Sequence, residues 1–413
     1  MPSTLSWVDF DSEAQQRTHR ILKQFDARDT RDELGLGSIR DAISDSLFPG
    51  TSVLHTRLRY MLLVPWTYLA LEKKQVRSSK IQDLARSRQL DVAKFLKKNV
   101  TDEGLGVIGG SVGDKLKTLP SAIYWSGMQR WGIRAYPGTE YHYQQALDET
   151  YRRRKRSQAH LANALEDGDD IGGMWTKHAH TFHPGLPTAP EDFPDSATFD
   201  LIPEEATYLQ SRVNECCSGT LLAHLLSNPL PVDIDSPWNH PNLAEFSGMH
   251  QALLRHAEHF SFAALGASLV YNQLLAKKKG NDEWIEAHRQ GGTNWTDELD
   301  RKFKAFSKWA GDLQPFWESL EGLNHQIDDH TRDFVSEWTR EVLQHPNDIF
   351  TQSAVQTLIK DREINKKLQN SRFRNDRVLE QWGGGSGLNR MTYRWSLVQT
   401  YITDMARGLG ASS

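Results

Sequence analysis

Three histidines stand close together at His178, His180 and His183. In a loop such an HxHxxH run could offer imidazoles to zinc or another borderline metal, with Asp169 or Asp170 completing the set. The spacing matches no metalloenzyme motif, and the PGLPTAP that follows reads as an extended connector, so no bound metal and no cofactor are expected. A second group, His250, His256 and His259, opens the run HQALLRHAEHFSFAALGASLVYNQLLA. That run becomes nearly all-apolar from Phe260 to Leu275, so it reads as a central packed helix with satisfied structural histidines at its entrance. Gly104, Gly106 and Gly109 spell a dinucleotide fingerprint, but a charged helical segment precedes them where a buried strand is required. The nearby GGSVGDK is not a phosphate loop, since Asp114 occupies the position of the glycine before the lysine. Asp361, Glu363 and Lys366 offer the acids and lysine of a metal-dependent nuclease, yet at helical spacing, where alternating charge is normally a solvated face. No nucleophile, base and orienting acid occur in a recognisable order. No catalytic residue can be named.

Two basic clusters are better candidates for function. Arg152, Arg153, Arg154, Lys155 and Arg156 are consecutive on a helix, so they encircle it and some must point away from any core. The other cluster is Lys366, Lys367, Arg372, Arg374 and Arg377, extended past a glycine loop by Arg390 and Arg394. Phe373, Trp382, Tyr393 and Trp395 are interleaved with it, and arginine beside exposed aromatics suits phosphate contact with base stacking. Pairing with Asp376, Glu380 or other carboxylates is the competing use of these arginines. The loop Gly383–Gly387 could approach a phosphate closely or serve as a hinge.

The elements that must position these residues are helices. Ser38 with Asp41 resembles a capping box, followed by Ile39, Ala42, Ile43 and Leu47 at helical spacing and a stop at Phe48-Pro49-Gly50. The next apolar face, Leu54, Leu58, Met61, Leu62, Trp66 and Leu69, predicts a helix over 52–75 that Pro65 kinks or splits. Further helices are predicted over 12–26, 79–98, 120–131, 139–165, 204–227, 243–279, 296–310, 328–344, 352–369 and 389–408. Short edge strands are expected at 4–10 and 106–110. The order of elements over 79–136 would suit a winged-helix unit with Ser121–Trp131 as recognition helix. Against DNA reading, that helix offers little positive charge beyond Arg130, with Arg134 just after it. Residues 166–203 are rich in Gly, Pro and Asp and lack periodicity, which divides the chain into 1–165, a connector at 166–203, and 204–413. The expected fold is thus mainly α, in two helical parts with few short strands.

The stretches DELGLGSIRDAISDSLFPGTS, RYMLLVPW and LEQWGGGSG together resemble an uncharacterised bacterial family of about this length, from Trp7 to about Trp395. Genes of that family often occur among anti-phage defence genes, and it brings no catalytic residues to carry over. Composition sets the remaining bounds. A net charge of −4 argues against coating nucleic acid by bulk charge, though local patches remain open. The only two cysteines, Cys216 and Cys217, are adjacent in a helical run and fit a reducing compartment rather than a disulfide framework. The opening SWVDFDSEAQQR is no signal peptide and no apolar run is long enough to span a membrane, so a cytoplasmic protein is expected. The residues and the resemblance together favour a non-catalytic accessory or recognition subunit of a defence assembly, binding a partner protein and nucleic acid. The rivals are a metal-dependent hydrolase or nuclease with a dispersed site, and a purely structural helical scaffold.

Overall fold

The computed structural model describes residues 32–100, 105–110, 113–166, 180–321 and 325–410. The predicted helix at 12–26, the strand at 4–10, and His178, Asp169 and Asp170 lie outside the described residues. Among the described residues there are 14 α-helices and no strand, only an isolated antiparallel bridge between Arg134 and Phe182. No helix among them is long and apolar enough to cross a membrane. The protein is mainly α and divides into two compact units. One takes the chain up to Ser46 with Pro237–Tyr393; the other takes Leu47–Ser236 with Arg394–Ser413. The division therefore does not fall at 166–203. Residues 180–203 are instead part of the second unit: Phe182 and Phe199 are buried, and Trp66 Nε1 donates to Pro187 O at 2.7 Å.

In the first unit, α1 (Gly37–Leu47) follows a bend that Asp32 holds, its Oδ1 and Oδ2 accepting from Leu36 N and Gly37 N at 2.8 and 2.7 Å. The cap is thus Asp32 rather than Ser38, which lies inside the helix. The long helices of this unit are α8 (Gly248–Lys279), α9 (Asp282–Gly311), α11 (Asp329–Gln344) and α12 (Ser353–Lys367), with short turns α10 (Gln314–Glu318) and α13 (Asp376–Glu380) between and after them. α8 is buried along most of its length, as its all-apolar second half predicts. It ends where Gly280 takes the left-handed conformation at φ 66°, and Asn281 then caps α9 by accepting from Trp284 N at 2.9 Å. The indoles of Trp295 on α9 and Trp338 on α11 donate to Phe262 O and Ala263 O of α8, at 2.9 and 2.8 Å.

The second unit is built on α2 (Tyr60–Lys73), which runs unbroken through Pro65 and is buried from Tyr60 to Tyr68. It starts well after the predicted residue 52, because residues 51–59 form turns and irregular chain instead. Around it lie α3 (Ser78–Asn99), α4 (Pro120–Arg130) and α5 (Glu140–Glu166). α6 (Pro203–Cys216), α7 (Leu221–Ser227) and α14 (Trp395–Gly408) pack together. Ion pairs hold the unit: the buried Arg59 with Glu205 at 2.7 Å, and the partly buried Arg57 with buried Asp404 at 2.7 Å. Among the described residues the expected strand at 106–110 is not formed, since they lie in turns. Trp125, Met128 and Trp131 are core, and Arg134 is turned inward to the carbonyls of Trp125 and Gly138.

Candidate interaction site

The C-terminal basic cluster is largely spent inside the first unit. Arg372 is 4% exposed, and its Nη1 lies 2.9 Å from Glu33 Oε1, 3.1 Å from Tyr271 Oη and 3.0 Å from Ser386 Oγ. Its backbone N donates to the fully buried Glu363 Oε1 at 2.7 Å. Lys367 pairs with the same Glu33 at 3.0 Å, Lys366 with Asp328 at 3.0 Å, and Arg390 with Glu298. Trp382 is 1% exposed, edge-on to Trp284 and stacked on His288, so it offers no face to a base. In the second unit Arg394 donates to Thr51 O at 2.8 Å. Of this cluster Arg374 and Arg377 are solvent-exposed, and Lys366 is exposed but paired.

The glycine loop between these residues is anchored rather than poised for a ligand. Asn272 on α8 brackets Ser386, accepting from its N and donating to its O, both at 2.8 Å. His288 Nε2–H donates to Gly384 O at 2.7 Å. Burial holds this imidazole neutral by pushing its pKa down to about 4. The loop is a packing device.

The histidine and acid candidates resolve in the same way. His180 is exposed, while His183 Nε2 accepts from Arg212 Nη1 at 3.1 Å. Burial first, and that guanidinium after it, lower its pKa. His256 Nδ1 accepts from Trp309 Nε1 at 3.1 Å and His259 stacks on the same indole, both depressed first by burial. Among the described residues no three His, Cys, Asp or Glu side chains are grouped to hold a metal. Asp361 and Lys366 line a groove of about 880 Å³ between α11 and α12, together with Asp333 and Glu337. Glu363 is turned to the opposite side, under Arg372, so the acids do not converge.

The cluster on α5 behaves differently. Arg154 points inward, its Nη1 2.7 Å from Glu72, a carboxylate that also accepts from Tyr143 Oη and Thr181 Oγ1 at 2.6 Å. Arg152 and Arg153 both reach Glu149 at 3.2 Å, yet their side chains remain 65% and 71% exposed. Lys155 and Arg156 are exposed as well. Sequence reading missed that Lys73, Lys74 and Arg77 adjoin these residues. The signal was the run KKQVR at the end of α2, whose neighbour α5 is remote in sequence. A second unpredicted surface is apolar. Thr56 Oγ1 donates to Gly106 O at 2.6 Å, which brings exposed Val53 and Leu54 next to the loop carrying exposed Leu105.

No curated protein and no solved structure matches the chain. One family model does, over residues 2–163 and 168–408. The chain belongs to this family of unknown function, DUF6361.

Proposed function

We propose that this protein is a non-catalytic accessory or recognition subunit of a bacterial anti-phage defence assembly, acting in the cytoplasm by contacting a partner protein and nucleic acid. The observation that carries the proposal is the contrast between its two basic clusters. Lys366, Lys367, Arg372 and Arg390 of the C-terminal cluster are paired with carboxylates, whereas Arg152, Arg153, Lys155 and Arg156 stand exposed on one helix. Exposed cations in excess of their acids attract negatively charged partners and speed encounter. Elsewhere on the same unit, the apolar residues Val53, Leu54 and Leu105, each more than half exposed, supply the kind of surface a protein partner covers. The defence setting comes from the family resemblance and the sequence stretches that carry it.

The test is recovery of the tagged chain from cells carrying its neighbouring genes. A stoichiometric protein partner should come with it, survive nuclease treatment, and be lost together with phage protection when Leu54→Asp and Arg152→Glu/Arg156→Glu are introduced. Recovery of the chain alone from such cells, with protection unchanged in the variants, would remove the proposal.

A further inference from the structure

We infer that the second unit binds the phosphate backbone of duplex nucleic acid across a surface formed jointly by α5 and the α2–α3 turn. This rests on reading α5 as a recognition surface and names what that surface takes. The juxtaposition is fixed by three contacts. Tyr151 Oη donates to Val76 O at 3.1 Å, Ser78 N donates to Asp148 Oδ1 at 3.1 Å, and Arg154 pairs with Glu72 at 2.7 Å. At 3.6 residues per turn, Asp148, Tyr151 and Lys155 share the flank of α5 that faces the turn. Lys155 is therefore the α5 cation beside exposed Lys73, Lys74 and Arg77, with exposed Lys80 one turn into α3. Arg152 and Arg156, four residues apart, form the outer crest, and Arg153 lies on the far flank. The cations thus run from the turn over the helix, with Asp148 on the flank between them.

The cations of this surface outnumber its acids. Asp148 is engaged as a cap on Ser78, and Glu149 is shared between Arg152 and Arg153. In a chain of net charge −4, so much positive charge gathered on one surface is the electrostatic footprint of a polyanion site. The identity of the residues narrows the ligand further. Single strands are held by aromatic platforms on which bases stack. Here the ring beside the cations, Tyr151, is partly buried and its hydroxyl is committed to Val76 O. Exposed lysines and arginines, with the exposed Tyr141 of α5 about three turns away from them, suit a duplex, whose phosphates present one charge per about 1.7 Å of axis. Such contacts position a duplex without reading its bases.

The experiment uses the purified full chain and fluorescence anisotropy with DNA duplexes of about 20 base pairs in two unrelated sequences, and with an RNA duplex of equal length. The two DNA sequences should bind alike, and affinity should fall at least tenfold between about 50 and about 200 mM salt. Binding of DNA, RNA or both supports the assignment and tells which nucleic acid supplies the phosphates. The variant Lys73→Ala/Lys74→Ala/Arg77→Ala, outside the α5 cluster, should weaken binding about tenfold and flatten the log–log salt slope by roughly two to three. All three side chains are exposed, so the thermal midpoint should not move, which a melting curve checks. An unchanged affinity and slope in this variant would overturn the shared surface. A chain that ignores every duplex at low salt, yet still retains its protein partner, would overturn the duplex assignment and leave the recognition role standing.

Discussion

Arg372 reaches Glu33, Tyr271 and Ser386 from a position 4% exposed, while Arg374, two residues further on, lies in solvent. The two arginines should respond oppositely to truncation. Arg372→Met removes the buried guanidinium and leaves Glu33 with Lys367 as its remaining cation. Breaking a buried pair from one side costs about 3–5 kcal/mol, and Lys367 should hold the loss toward the lower end. Arg374→Ala with Arg377→Ala touches only exposed side chains and should stay within about 0.5 kcal/mol of the parent. Urea unfolding of both variants measures the difference. A neutral Arg372→Met would mean that the network around Glu33 is not what fixes this loop. The sequence shows both arginines in one basic run, and nothing local separates them. The partner that claims Arg372, Glu33, enters from the other end of the chain.

At the scale of elements, α8 and α9 meet through a glycine. A Cβ built on Gly266 would lie 2.5 Å from Trp295 Cζ2 and 2.6 Å from Cε2. The indole cannot give way cheaply, because its Nε1 donates to Phe262 O at 2.9 Å and its ring stacks on Phe262 at 4.7 Å. Gly266→Ala should therefore destabilise the first unit by about 1–3 kcal/mol, even though alanine is the better helix former. A thermal midpoint equal to or above the parent's would show that the close approach is not constrained. The nearly all-apolar run from Phe260 to Leu275 announced the burial of α8 in the sequence. The first half of α9 was not legible, because Gly291 and Gly292 lower helix propensity where the pattern would have been read. Those glycines face Leu269 and Phe350, so tertiary packing sets the helix there. Pro65 misled in the other direction. It interrupts one backbone bond in a buried helix, and the burial of its neighbours from Tyr60 to Tyr68 outweighs that loss. That some of the α5 cations are exposed could be read from their consecutive order alone, but which of them turns inward, and their union with the α2–α3 turn, needed the fold.

Across the whole molecule, each compact unit holds a buried neutral histidine that makes its stability depend on pH. His288 in the first unit and His55 in the second both have their pKa lowered from 6.5 to about 4, first by burial. His55 Nε2–H donates to Ile123 O at 3.1 Å, and its Nδ1 accepts from Tyr401 Oη at 2.9 Å, an arrangement that only the neutral ring can make. Above pH 6.5 both rings are neutral in the folded and unfolded chain, so their contribution is fully present. As pH falls below 6.5 the unfolded chain takes up protons that the folded chain refuses, and stability is lost until the folded pKa near 4 is reached. With one pKa unit equal to about 1.4 kcal/mol, each histidine should cost its unit about 2 kcal/mol at pH 5 and about 3 kcal/mol by pH 4. Urea unfolding at about pH 7.5 and about pH 5, followed by tryptophan fluorescence, should show this fall in the parent. His288→Gln keeps a donor for Gly384 O but does not titrate, and His55→Gln can likewise donate to Ile123 O. Each replacement lowers stability at neutral pH by whatever packing it loses, so the informative quantity is the difference between the two pH values. That difference should shrink by about 2 kcal/mol for each histidine removed. If the double variant loses as much stability on acidification as the parent, the carboxylates and not these histidines govern the acid response.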